Sequence, residues 1–260
     1  MDIREKVVVV TGGASGIGEA LARRFANEGA GAVVVVDIDA EGAARVATAV
    51  GAAARTLDVA DAVETQRVFG SIEDEFGKVD IVCLNAGIAT GGSVDVPDAV
   101  WQRTWQVNVM SHVYAVRAVL PGMLERASGY LVHTASAAGL LTNLGAAPYS
   151  VTKHAVVALA EWLSVTYGDR GLRVSALCPQ FVDTPMLDLF GGDSAAMQTW
   201  VRDLAITPDA VAEAVIEGIH EETFLILPHP EVAEYFARKA SDYDRWLAGM
   251  RTLHASLDGV

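Results

Sequence analysis

Tyr149 and Lys153 stand four residues apart in Tyr149–Tyr167, a stretch whose apolar residues recur at helical spacing. One helical turn puts both side chains on the same face. A free phenol titrates near ~10, too high for an effective base at neutral pH. A neighbouring ammonium favours the phenolate, so the pair can take a proton from an alcohol or return one to a carbonyl. A surface pair on an amphipathic helix has the same spacing. Ser136 lies in His133-Thr134-Ala135-Ser136-Ala137-Ala138-Gly139, just after a strand-like run. Its hydroxyl can hydrogen-bond an oxygen on which charge develops, although serine is also common in strand-to-loop turns. Asn108 sits inside a helical stretch, where its amide competes for backbone hydrogen bonds. Such a misfit suggests a purpose; a buried Asn at a helix kink is a compatible reading.

A second group of residues suits a dinucleotide. Thr11-Gly12-Gly13-Ala14-Ser15-Gly16-Ile17-Gly18 lies between a strand-like and a helix-like segment. Glycines there allow a sharp turn and a close approach to a pyrophosphate, and the helix N-terminus offers amide donors. Gly12, Ser15, Gly16, Ile17 and Gly18 are the candidates; a tight turn without ligand is the plainer alternative. Asp37, ending the second strand, suits the two adenosine ribose hydroxyls and would repel a 2′-phosphate. Asp39 adds negative charge, and Ala14 and Ser15 offer no cation, so NAD is favoured over NADP. Asp37 is also a credible helix cap. Asp58 and Val59, after the third strand, are placed to hold adenine, and Asp58 too can cap a helix. Asn85-Ala86-Gly87 ends the fourth strand, where small residues let a cofactor lie close to the sheet edge.

These residues need a scaffold that presents several strand ends together. Short β-branched runs alternate with amphipathic stretches: strands over Lys6–Thr11, Ala32–Asp37, Ala53–Leu57, Asp80–Leu84, Gly129–Thr134, Leu172–Leu177 and Phe224–Leu227. Helices are predicted over Gly16–Gly29, Ala40–Val50, Val63–Phe76, about Trp101–Met123, Tyr149–Tyr167 and Pro208–Gly218. The alternation implies βαβ units and a parallel sheet covered on both faces, an α/β doubly wound fold. Residues 1–260 read as one domain. Residues 181–207 form a long, partly apolar interruption that suits a substrate lid. Residues 230–257 form a helical, aromatic extension that covers the core or makes a subunit contact.

Taken together, Thr11–Gly18, Asn85-Ala86-Gly87, Asn108, Ser136 and Tyr149-Ser150-Val151-Thr152-Lys153 resemble the short-chain dehydrogenase/reductase family, in its compact single-domain branch. The likeness runs over nearly the whole chain. It implies a sheet of about seven strands and a nicotinamide cofactor. It implies Tyr149 as general acid/base, Lys153 holding the nicotinamide ribose, Ser136 polarising the reacting oxygen, and Asn108 holding a water that relays protons to the lysine. Pro179, Val182 and Thr184 match the segment that binds the nicotinamide carboxamide. Gln180 departs from the family, which usually has Gly there. Ile88, Leu140, Leu141, Phe181, Met186 and Phe190, with Ser136 and Tyr149, form the expected substrate wall, suited to a bulky hydrophobic alcohol or ketone. The resemblance also implies a tetramer or dimer, with Trp101, Trp105 and the Tyr149–Tyr167 helix as contact elements.

Composition narrows the alternatives. The 260 residues carry 19 Lys and Arg against 33 Asp and Glu, a formal charge of −14, which argues against nucleic-acid and anionic-membrane partners. No signal-like or membrane-length apolar run is evident. Cys83 and Cys178 fall in strand-like segments without CxxC spacing, and the six His show no metal-ligand pattern. A reduced, cytoplasmic, metal-free enzyme acting on a small molecule is expected. Its rivals are an NADP-dependent carbonyl reductase, a non-catalytic NAD(H)-binding regulator and a scaffold protein.

Overall fold

Valine-rich runs dominate the strands, and their side chains are buried on both sheet faces, as a parallel sheet flanked by helices requires. The computed structural model describes residues 1–189, 199 and 201–257. Seven strands form one parallel sheet: β1 (Val7–Thr11), β2 (Ala32–Asp37), β3 (Ala53–Thr56), β4 (Ile81–Leu84), β5 (Gly129–Thr134), β6 (Leu172–Leu177) and β7 (Leu225–Ile226). Their order is β3-β2-β1-β4-β5-β6-β7. The order reverses between β1 and β4, which pair in parallel with Val8 opposite Ile81. A crevice forms at the carboxyl ends of strands at such a reversal.

Helices α1 (Gly16–Asn27), α2 (Ala40–Val50) and α3 (Ala62–Phe76) cross between the first strands. Their ends follow local chemistry. Asp39 caps α2 by accepting the Gly42 N–H at 3.1 Å, and Asp61 caps α3 by accepting those of Val63 and Glu64. Gly51 and Gly77 close the two helices in the left-handed conformation. Asp39 and Asp61 therefore do the capping that Asp37 and Asp58 were also candidates for.

The long helix expected over Trp101–Met123 is divided. Helix α4 (Asp98–Trp105) passes into a π-helical turn, Gln106–Met110, and then into α5 (Ser111–Glu125). Asn108 is central in the turn, and π-turns often mark functional sites. A short helix, α6 (Ala138–Leu141), which sequence periodicity cannot register, follows the Ser136 loop. Then come α7 (Ala147–Tyr167) and α8 (Pro208–Glu221). The C-terminal stretch is two helices, α9 (Glu231–Ser241) and α10 (Tyr243–Leu257). Among the described residues no helix is long and apolar enough to cross a membrane. Both cysteines are buried and free.

Candidate active site

The carboxyl ends of the strands enclose a cavity of about 480 Å³. One end is the glycine loop. Gly12 and Gly16 have φ of +65° and +53°, the region that favours glycine. A Cβ on Gly12 would meet the Ala86 backbone at 2.8 Å, and one on Gly16 would meet Thr184 at 2.9 Å. Gly18 is absent from the cavity wall; a Cβ there would lie 1.9 Å from the Gly12 carbonyl oxygen, so Gly18 allows the helix to pack against the loop. Asn85 holds this loop in shape, donating from its amide to the Thr11 and Gly12 carbonyls at 3.1 and 3.3 Å. Thr11 Oγ1 in turn accepts the Asn85 and Ala86 N–H groups. Asn85 therefore clamps the loop, a role beyond that of a small strand-end residue.

Asp37 lines the far end of the cavity. Its two carboxylate oxygens accept the Ala14 and Asp39 N–H groups, each at 3.0 Å, so its orientation is fixed. Asp58 and Val59 line the same end. Asp58 accepts from Ala60 N–H and pairs with Arg103 at 3.3 Å, a cavity-lining cation without a motif signature. Ser15, Gly16, Ile17, Ala86, Gly87, Pro179, Val182 and Thr184 complete the wall. A Cβ on Gly87 would come within 3.3 Å of Asn108 Oδ1 and 3.5 Å of Lys153 Nζ. This long cradle, open only where side chains are missing and ending in a fixed carboxylate, fits an adenine dinucleotide.

The residues suited to proton transfer meet midway. Ser136, Tyr149 and Lys153 all line the cavity and are buried. The Tyr149 hydroxyl and the Ser136 hydroxyl are hydrogen-bonded. Ser136 Oγ also accepts the Ala138 N–H at 3.1 Å and reaches the Pro179 carbonyl at a long 3.4 Å. Lys153 Nζ donates to the Thr134 carbonyl at 2.8 Å and lies 5.5 Å from the centroid of the Tyr149 ring. Burial lowers the Lys153 ammonium to about 8 and raises the Tyr149 phenol, with the Ser136 hydrogen bond acting in the opposite direction. In the protein alone, desolvation is the larger effect on both groups.

Asn108 is fully buried and absent from the cavity wall. Its amide accepts the Ile88 N–H at 2.8 Å and donates to the Ile88 carbonyl at 3.0 Å and to Thr152 Oγ1 at 3.2 Å. It ties the turn after β4 to α7, the helix that carries Tyr149 and Lys153. Of the expected substrate residues, Ile88, Leu141, Phe181 and Met186 line the cavity. Leu140 does not: it is buried in the main apolar core, which Leu141 also joins while reaching the cavity wall. Phe190 lies outside the described residues. Gln180 lines the cavity, and its φ is not positive, so the family's Gly is not required by backbone conformation here. Its N–H is bonded to His229 Nδ1 at 3.2 Å. Thr142 and Asn143, missed in the sequence, are also on the wall.

A parallel sheet with this reversal, a glycine loop and a carboxylate after β2 defines a dinucleotide-binding α/β protein. The family model for short chain dehydrogenase matches residues 6–193. The chain belongs to the short-chain dehydrogenase/reductase family and is an oxidoreductase of that class. It is 36% identical over 242 residues to 1-deoxy-11-beta-hydroxypentalenate dehydrogenase of Streptomyces exfoliatus, covering 89% of this chain and 86% of the relative. A short chain dehydrogenase/reductase from Burkholderia phymatum, solved in complex with NAD, superposes with a TM-score of 0.84 at 29% identity, over 94% of this chain and 96% of that one. An actinorhodin polyketide ketoreductase solved with NADPH gives a TM-score of 0.79 at 29% identity, over 86% and 94%. A nicotinamide cofactor is thus common to these structures, in both phosphorylated and unphosphorylated forms.

Proposed function

We propose that the protein is an NAD-dependent dehydrogenase that interconverts a secondary alcohol and a ketone, with Tyr149 as general acid/base. The observation that carries this reading is that Ser136, Tyr149 and Lys153 share one cavity with the glycine loop and Asp37. When bound, the nicotinamide supplies the hydride acceptor or donor. Gly12, Ser15, Gly16 and Ile17 hold the pyrophosphate region, Asp37 the adenosine ribose, Asp58 and Val59 the adenine, and Pro179, Val182 and Thr184 the carboxamide. Tyr149 Oη takes the proton in alcohol oxidation and returns it in ketone reduction. Ser136 hydrogen-bonds the reacting oxygen; its present bond to Pro179 is long at 3.4 Å, so the hydroxyl is redirected at small cost. Lys153 spends one donor on the Thr134 carbonyl and keeps others for the nicotinamide ribose. Asn108 positions Lys153 and Tyr149 through Thr152 and Ile88, and its expected place in a water relay is part of this proposal.

Asp37 supports NAD, because its fixed carboxylate would repel a 2′-phosphate. The NADP reading draws its support from Arg45, which reaches the Ala14 carbonyl at 2.8 Å, yet this cation is paired with Glu19. Ile88, Leu141, Phe181 and Met186 support a bulky hydrophobic substrate, and a hydroxypentalenate dehydrogenase among the relatives is in keeping with that. Buried thiols are compatible with a cytoplasmic enzyme, and exposed Val151, Trp162 and Val165 on α7 with a homo-oligomer. The test follows NADH absorbance for wild type and Tyr149→Phe over secondary alcohols and ketones of increasing size, with NAD(H) and NADP(H). Tyr149-dependent turnover with NAD(H) is expected. Turnover only with NADP(H) overturns the Asp37 argument, and tight NADH binding without any turnover favours a non-catalytic regulator.

A further inference from the structure

Two buried polar residues, one just before the C-terminal stretch and one within it, have no place in the chemistry above. His229 is 3% exposed and Lys239 is 6% exposed. Lysine is rarely buried unless paired. Lys239 Nζ donates to the Leu140 carbonyl at 2.6 Å and lies 5.2 Å from the centroid of the Tyr243 ring. His229 Nδ1 accepts the Gln180 N–H at 3.2 Å. Each contact falls on the residue just before an apolar member of the cavity wall: Leu140 precedes Leu141, and Gln180 precedes Phe181.

The two contacts close a ring. The His229 carbonyl accepts the Val232 N–H at 3.1 Å, which joins His229 to the start of α9, and Val232 anchors that helix in the core. Lys239 leaves the far end of α9 for α6. The Leu140 N–H donates to the Ala137 carbonyl, and the Ala137 N–H donates to the Pro179 carbonyl at 2.8 Å, one residue from Gln180. Ser136 adjoins this ring, next to Ala137 in the chain and with its hydroxyl 3.4 Å from the Pro179 carbonyl. Just beyond it, Thr142 has φ +73°, a strained value for a β-branched residue, and such strain persists only where neighbours over-determine it. The adjacent Asn143 is held by Ser150 through two hydrogen bonds. The second loop has a further tie, since the Asp183 N–H donates to the Ile206 carbonyl and the Ile206 N–H to that of Phe181.

We propose that His229 and Lys239 are positioning residues that set the substrate wall, by bracing α9 against the two loops that carry Leu141 and Phe181. This rests on the alcohol-dehydrogenase reading of the cavity. A shifted wall misplaces the substrate while leaving the dinucleotide cradle intact.

The test compares Lys239→Met, His229→Leu and His229→Asn with wild type. Steady-state kinetics with the best alcohol, NADH binding by fluorescence, and hydrogen exchange in peptides spanning 137–142 and 179–184 are measured. Asn Oδ1 can accept the Gln180 N–H much as Nδ1 does, so His229→Asn is the rescuing variant. Lys239→Met and His229→Leu are expected to raise KM about tenfold, with kcat and NADH affinity little changed. Exchange should quicken in the two peptides and not across the chain, and His229→Asn should behave like wild type. An unchanged KM overturns the proposal. So does a joint loss of kcat, KM and NADH affinity with faster exchange everywhere, or a His229→Asn variant no better than His229→Leu. Should wild type turn over no alcohol, the dehydrogenase reading fails, and the exchange data still decide the brace: acceleration confined to the two peptides supports it, and none overturns it.

Discussion

His112 on α5 and His133 on β5 form a buried pair whose response to acid can be worked out. Their Nδ1 atoms are 3.0 Å apart and their rings stack with centroids 5.2 Å apart. One Nδ1 must carry the proton and the other accept it, so the accepting ring is neutral. Neither Nε2 has a hydrogen-bond partner among the described residues. Burial lowers His133 from 6.5 to about 3, and burial with the neighbouring His133 and Lys153 lowers His112 well below its ordinary value. In the unfolded chain both rings take up protons as pH falls through 6.5, while the folded protein excludes them. The unfolded state then binds more protons, so stability is fully present above about pH 6.5 and falls as pH drops below it. At pH 5 the gap for one ring is about 1.5 pH units, worth ~2 kcal/mol, and ~4 kcal/mol is the ceiling for the pair.

Other groups also respond to acid, so the measurement is a difference of differences. Urea unfolding of wild type and of the double variant His112→Leu, His133→Leu is compared at pH 7.5 and pH 5. Wild type should lose ~2–4 kcal/mol more than the variant over that interval. The leucines also remove a buried donor without a partner, so the variant at pH 7.5 need not be weaker. Equal losses in the two proteins would show that the pair takes up its protons without unfolding, and would refute the reasoning.

Three further outcomes are expected. Lys153, lowered from 10.5 to about 8 by burial, contributes stability at high pH that is lost as pH falls through 8; Lys153→Met should therefore be ~2 kcal/mol more stable at pH 7 after losing the Thr134 bond, while turnover disappears, as thermal melting and NADH absorbance would report. Gly18→Ala places a Cβ 1.9 Å from the Gly12 oxygen and should abolish NADH binding by fluorescence titration, whereas Gly70→Ala, with nothing within 4 Å, should leave binding intact and stabilise α3, by ~0.5–1 kcal/mol. Asp37→Ala removes the carboxylate proposed to hold the adenosine ribose and should shift kcat/KM from NADH toward NADPH by about tenfold or more; no change in the ratio would remove the electrostatic basis of the NAD proposal.

Much of the sheet is legible because valine runs such as Val7–Val10 and Val33–Val36 are buried on both faces, where periodicity and composition agree. The strands β2, β5 and β6 begin and end where the pattern places them. The residues that gather at the cavity are legible for a different reason. Glycines that need positive φ, and a Tyr and a Lys one helical turn apart, carry local geometry in the sequence itself. What stays hidden depends on contacts between distant segments. Nothing local distinguishes Leu140 from Leu141: both enter the core, and only Leu141 also lines the cavity. The Asn108 misfit was visible, but its partners Ile88 and Thr152 lie 20 and 44 residues away. His229 and Lys239 read as an ordinary loop histidine and an ordinary helix lysine, and become unusual only once their burial is known.

Burial also links the stability of this protein to its chemistry. Tyr149 and Lys153 lose hydration together, so the charged form of each is disfavoured in the protein alone. The lysine is held by the Thr134 carbonyl and the phenol by Ser136. A positive charge brought into such a site acts at low effective dielectric and favours the phenolate more strongly than it would in water. The same charge disfavours the Lys153 ammonium. Proton release by Tyr149 is thereby coupled to what occupies the cavity. A variant that introduced a permanent carboxylate beside Lys153 would stabilise the ammonium and weaken that coupling, even if it made the folded protein more stable.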